Sequence, residues 1–245
     1  MQTHELKTAA LGAGADLVGV APVARLTHLP QKNNILAVAP SAKSLIVLGK
    51  RILRGSLRGV EEGTNFGSTY HVFGMQWLED LFLSRTIQAV AEFLEDAGFE
   101  ALPLLGFRQE NGDFEPDPIA FATAAGLGGV GKSGLFLTPE FGHRQRFGFV
   151  ATNAELDPDP IIENRLCDDC DACVKACPLM EGATNFPPLS RCRVCKNGAV
   201  PIGGKVETID RNAAACARAC VAAIENKLTK KFNTPFRRRE PWSIV

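Results

Sequence analysis

Residues 1–166 contain no cysteine, and all eight cysteines of the 245-residue chain fall between Cys167 and Cys220. Thiol chemistry is therefore excluded from the first two thirds of the chain and confined to one stretch. Net charge is also lacking: 27 Lys plus Arg balance 27 Asp plus Glu, so bulk charge points to no polyanionic partner. No apolar run approaches the length of a membrane span, and no membrane partner is expected. The opening MQTHELKTAA lacks a basic n-region, an apolar h-region and a twin arginine. It reads as the start of an amphipathic helix, and a cytoplasmic location is expected. Low-complexity segments are absent, and Tyr70 is the only tyrosine.

What is present is concentrated. Cys167, Cys170, Cys173 and Cys177, followed by Pro178, spell C-x2-C-x2-C-x3-C-P; Cys192, Cys195, Cys216 and Cys220 come after. Such a run lets a loop and a helical turn aim three sulfurs at one iron–sulfur cube, while the fourth reaches the neighbouring cube. Two cubanes need eight thiolates, which the chain has without a spare. Two 4Fe–4S clusters are expected. Zinc knuckles also use C-x2-C, but they give no reason for a third cysteine at x2 and a fourth before proline. A disulfide framework fits poorly with the seven acidic residues between Glu155 and Cys173. The second set is irregular, with Val221 where proline would stand. Crossed ligation assigns Cys167, Cys170, Cys173 and Cys220 to one cluster and Cys177, Cys192, Cys195 and Cys216 to the other.

The cysteine-free part alternates helical and strand patterns. A helix near 3–14 leads to strands at Asp16–Pro22 and Ser44–Leu48. Residues 70–97 carry a long helical pattern, followed by a strand near Glu100–Leu105. Asp117 and Pro118 read as the N-cap and first residue of a short helix through Ala125. Strands at Leu135–Thr138 and Arg146–Thr152 complete an α+β domain. The expected organisation is a cofactor-binding domain at 1–158, a cluster domain at 159–226 and a basic tail at 227–245, with prolines 158 and 160 near the seam.

Residues 126–133, GLGGVGKS, satisfy both G-x4-G-K-S and G-x-G-x-x-G. Both nucleotide motifs work only between a buried strand and a helix N-terminus. Here the order is reversed, since helical IAFATAA precedes the glycines and GLFLTPEFG, read as strand then turn, follows them. Nucleotide binding is disfavoured. The glycines still permit close approach to a bulky ligand, with a tight structural turn as the alternative.

Ala125–Gly142 with Arg144, Arg146 and the cysteine run resembles the corrinoid-dependent iron–sulfur reductases, the superfamily of epoxyqueuosine reductases and reductive dehalogenases. AGLGGVGK is similar to the former and LTPEFG with its arginines to the latter. The resemblance implies a nitroreductase-like α+β domain that binds cobalamin, joined to a ferredoxin-like domain that delivers electrons to cobalt. It implies corrin contacts from Gly126, Leu127, Gly128, Gly131, Lys132 and Ser133. Tyr70-His71 resembles a pair in epoxyqueuosine reductases and makes Tyr70 the candidate proton donor, with a core-edge aromatic as the alternative. Asp113 lies near the position of a catalytic aspartate, about one residue out of register, and Asp117 is its rival. The helical-repeat region that epoxyqueuosine reductases use for tRNA and the twin-arginine leader of respiratory dehalogenases have no counterpart in the sequence.

The resulting expectation is an oxidoreductase passing electrons from two 4Fe–4S clusters to a corrinoid that reduces a small electrophilic substrate. A ferredoxin or flavodoxin would be the electron donor, nucleic acid is not expected as a partner, and a homodimer is possible. Two alternatives stay open: an electron-transfer or corrinoid-reactivating protein without its own organic substrate, and a reductase carrying FMN in the first domain.

Overall fold

The structure, a computed structural model, describes residues 1–57, 69–105, 114–180, 192, 200–201, 209–212 and 214–233. The chain folds into two units, each assembled from separate stretches. The first comprises Met1–Ile52, Met75–Gly129 and Gln145–Glu163, and the second Leu53–Gly74, Val130–Arg144 and Asn164–Val245.

An antiparallel sheet organises the first unit. Its strands Leu17–Pro22, Ser44–Arg51, Gln145–Thr152 and Ala101–Leu105 lie side by side in that order. Register is set by pairs such as Val20 with Ile46, Ile46 with Val150, and Pro103 with Val150. Ser44–Gly49 is buried along its whole length, and LIVL within it is accordingly continuously apolar and does not alternate. One face packs Val20, Ile46, Leu48 and Val150 against Leu6 and Ala10 of the Thr3–Gly12 helix and Ile87, Val90 and Leu94 of the Ser84–Asp96 helix. Elsewhere Phe149 stacks edge-on against Phe121 of the Pro118–Ala124 helix, with ring centroids 5.1 Å apart.

The first helix, the four sheet strands and the capped helix fall where the sequence places them, within one to three residues. The expected strand at Ser44–Leu48 continues to Arg51, because its pairing runs on through Arg51 opposite Gln145. The expected 70–97 helix is wound in two ways. Tyr70–Gln76 and Leu78–Leu83 have the wider π spacing, and only Ser84–Asp96 is α-helical.

The second unit is built round a helix of small residues, Ala215–Ile224, which carries Cys216 and Cys220 one turn apart. Ala, Val and Cys side chains let neighbouring chain come close to it, and almost all of it is buried. His143 clamps it, with Nδ1 2.7 Å from Asn212 Oδ1 and Nε2 2.9 Å from the Ala217 carbonyl. At its end Glu225 pairs with Arg54 at 2.5 Å, both largely buried, and the Arg54 guanidinium lies 4.7 Å from the Phe232 ring centre. No helix among the described residues is long and apolar enough to cross a membrane.

Candidate functional site

The cysteine run begins as a tight turn. Asp169 has φ 55°, the left-handed conformation that Asp tolerates better than most residues, and it bends the chain between Cys167 and Cys170. The Cys170 N–H donates to the Cys167 carbonyl at 3.2 Å. A short helix, Ala172–Ala176, then carries Cys173, and the Met180 N–H donates to the Cys177 carbonyl at 3.1 Å. This is the loop-then-turn arrangement that the spacing predicts.

The Ala215–Ile224 helix meets this run at two places. Cys216 packs with Cys173, Cys177, Met180 and Ala214. Cys220 packs with Leu137, Ile224 and Leu228, with Cys167 and Cys170 against the same group. Burial pushes the Cys220 thiol up, reinforced by Cys173, Cys167, Cys170 and then Cys216 around it. Burial likewise raises Cys173, with Cys167 as the next contributor. Cys192 is buried, and Cys195 lies outside the described residues.

This donor set fits cubane clusters. Among the described residues no three His, Cys, Asp or Glu side chains converge as a single metal ion requires. A cubane does not need that convergence, because each thiolate binds a different iron at a corner of the cube.

The glycine loop follows the Pro118–Ala124 helix, as its sequence order implies, and a strand rather than a helix comes next. The loop leads into the short strand Phe136–Leu137, and the Gly131 N–H donates to the Leu135 carbonyl at 2.8 Å. Two of its glycines answer to the chain itself. Gly126 has φ +70°, and a Cβ there would stand 2.2 Å from the Pro160 carbonyl oxygen. A Cβ on Gly131 would lie 2.9 Å from Leu137 Cδ1 and 3.1 Å from Cys167 Sγ. Leu127 and Gly128 are buried, Ser133 is buried, and its carbonyl accepts from Arg211 Nη1 at 2.8 Å. Lys132 is exposed and pairs with Asp171 at 2.8 Å. That bond holds Lys132 above its ordinary value and Asp171 below.

Tyr70 is fully buried, its ring edge-on to His71 at 6.2 Å between centroids. Asp113 lies outside the described residues. Asp117 caps its helix, accepting from the Ile119 and Ala120 N–H groups at 3.1 and 2.9 Å. In the acidic run, Asp159 pairs with Lys7 at 2.5 Å and accepts from the Val20 N–H. Asp159 and Asp171 thus have partners of their own within that run. Sequence reasoning missed Asn164, whose amide reaches Cys167; nothing in its spacing marks it apart from nearness to the run.

One unit is built on an antiparallel sheet and the other gathers the described cysteines, and the relatives are reductases. No protein-family model matches the chain. It is 30% identical over 159 residues to the epoxyqueuosine reductase of Listeria monocytogenes, covering 63% of this chain and 38% of that protein. It is 27% identical over 222 residues to the tetrachloroethene reductive dehalogenase of Sulfurospirillum multivorans, covering 75% and 42%. The chain thus spans less than half the length of these two relatives. A crystal structure of epoxyqueuosine reductase superposes with a TM-score of 0.61 at 19% identity, over 97% of this chain and 68% of that one. Another, solved with an epoxyqueuosine-modified tRNA-Tyr stem loop, gives 0.55 at 20% identity over 81% and 58%. A reductive dehalogenase described by B12-dependent dehalogenation gives 0.52 at 18% identity over 71% and 24%. The resemblance expected from the glycine loop and cysteine run is met on both sides of the superfamily.

Proposed function

We propose that the chain is an iron–sulfur reductase that passes electrons from two 4Fe–4S clusters to a cobalamin and on to a small electrophilic substrate. The observation that carries this reading is the gathering of cysteines from two distant stretches of sequence, Cys167–Cys177 and Cys216–Cys220, into shared packing. Burial holds the Cys173 and Cys220 thiols protonated unless iron takes the proton's place. The crossed partition is supported by Cys220 beside Cys167 and Cys170 and by Cys216 beside Cys177, while Cys173, assigned to the first cluster, packs with Cys216 and Cys177. In this reading 1–158 is the cofactor-binding domain, 159–226 is ferredoxin-like, and a low-potential ferredoxin or flavodoxin is the donor.

Bound, the clusters supply electrons one at a time and the corrinoid supplies the reactive metal. The chain's own residues hold and shield. Cys167, Cys170, Cys173, Cys177, Cys192, Cys195, Cys216 and Cys220 are the proposed ligands, and the small side chains of Ala215–Ile224 keep water from the buried ones. Gly126, Leu127, Gly128, Gly131, Lys132 and Ser133 are the residues proposed for the corrinoid. Tyr70, with Asp113 as the further candidate, is proposed to hold the proton that the reduced substrate takes up.

A second reading, an electron carrier with no organic substrate, draws on the glycine loop. Gly126 is required by the chain's own packing and Gly131 lies against Leu137 and Cys167, so the loop's composition alone does not demand a ligand. Metal content tests the premise common to both readings. Anaerobic reconstitution should give about eight iron and eight sulfide per chain, and Cys220→Ala should lose close to half the cluster signal. Full iron retention by Cys220→Ala would remove that residue from the ligand set.

A further inference from the structure

We propose that the side-chain amide of Asn164 sets the reduction potential of the cluster bound by Cys167, holding it higher than the thiolates alone would. The inference rests on the iron–sulfur reading above and concerns a residue that is not itself a ligand. Asn164 Nδ2 lies 3.7 Å from Cys167 Sγ, within reach of an N–H to sulfur bond. The same Nδ2 lies 3.3 Å from the Val130 carbonyl oxygen. The amide's orientation is fixed from its other end, because Asn164 Oδ1 accepts the Leu166 N–H at 3.0 Å. A backbone N–H can only donate, so the oxygen must face Leu166 and the NH2 must face Cys167 and Val130. Each of its two hydrogens then has one acceptor.

The sulfur itself has little freedom. A Cβ on Gly131 would come within 3.1 Å of it, so the backbone of the glycine loop closes on Cys167 from another direction. The polar surroundings of this thiolate are therefore set by the protein. A donor on a ligand sulfur draws charge away from iron and favours the more negative, reduced cluster. Reduction adds one electron from the donor to the cluster, with no bond made or broken, and the Asn164 N–H stabilises its product. Asn164 is thus a tuning residue, and Gly131 leaves room for the Cys167 sulfur.

An EPR-monitored redox titration of reconstituted protein tests this, with wild type compared to Asn164→Leu and Asn164→Asp. Asn164→Asp keeps the oxygen that accepts from Leu166 while losing the donor and adding a negative charge, whereas Asn164→Leu loses the donor without adding charge. One of the two clusters should become at least tenfold harder to reduce in both variants, about 59 mV for a one-electron couple, while the other stays unchanged. Asn164→Gln, which retains an amide donor, should move back toward wild type. Variants with full iron and sulfide and unshifted potentials would overturn the proposal. Wild-type protein that takes up no iron would instead overturn the iron–sulfur reading on which it stands.

Discussion

Gly126→Ala tests the glycine loop most sharply, because the structure shows what an added methyl would meet. The new Cβ would stand 2.2 Å from the Pro160 carbonyl oxygen, a backbone atom that cannot rotate aside. Left-handed φ at this position, +70°, costs an alanine roughly 1–2 kcal/mol. Relieving the clash requires a backbone shift costing about 1–3 kcal/mol more. The sum, roughly 2–5 kcal/mol, is a large part of the stability of an ordinary domain. For a domain of this size each kcal/mol moves Tm by about 2–4 °C, so melting should fall by on the order of 10 °C. Far-UV circular dichroism on protein without added cofactor reads this directly. Gly12→Ala is the paired control, since nothing lies within 4 Å of its new Cβ. Near the end of a helix that change should be neutral or gain up to about 1 kcal/mol. Melting of Gly126→Ala with the wild type would refute the packing argument and leave ligand approach as the reason for the glycine.

Asp117→Ala removes a side chain that accepts from two helix N–H groups, and should cost about 1 kcal/mol in denaturant unfolding; no loss would mean the cap is idle. Tyr70→Phe deletes only a hydroxyl from a buried ring, so the fold should persist while turnover drops roughly 10²-fold or more if Tyr70 supplies the proton. Unchanged turnover would free Tyr70 from that role. Without iron, the folded state holds the Cys173 and Cys220 thiols protonated above the ordinary thiol range. In the unfolded chain they ionise at their ordinary values, so the stability of iron-free, reduced protein should fall as pH rises through that range. A denaturation midpoint that stays flat or rises from pH 7 to pH 10 would contradict the burial of those thiols.

How much was legible in the sequence depended on whether the signal was local. Asp117-Pro118 announced its helix because a cap and a first-turn proline act within four residues. The order of helix, glycines and strand was equally local, and it disfavours the nucleotide motifs. The winding of Tyr70–Leu83 was hidden, because apolar residues at helical spacing do not distinguish π from α turns over so short a stretch. The ends of the Ser44–Arg51 strand were set by its partner: Gly49, Lys50 and Arg51 look like loop, yet they pair with Phe147, Arg146 and Gln145. At the candidate site the loop and turn that carry Cys167, Cys170 and Cys173 could be read from spacing alone. The contacts of Asn164, Arg211 and Asp171 could not, since each depends on long-range packing that leaves no periodic trace.

The central claim is that electrons reach a corrinoid, and a cobalamin titration tests it most directly. Anaerobic, cluster-reconstituted protein would be titrated with cobalamin and followed by visible absorbance and cobalt EPR, with a modified tRNA stem loop and free FMN as control ligands. Saturation near one cobalamin per chain, with a perturbed Co(II) spectrum and reduction toward Co(I) by the clusters, is the predicted result. Intact clusters with no cobalamin binding would contradict the account and leave an iron–sulfur electron carrier, or a flavin protein if FMN binds instead.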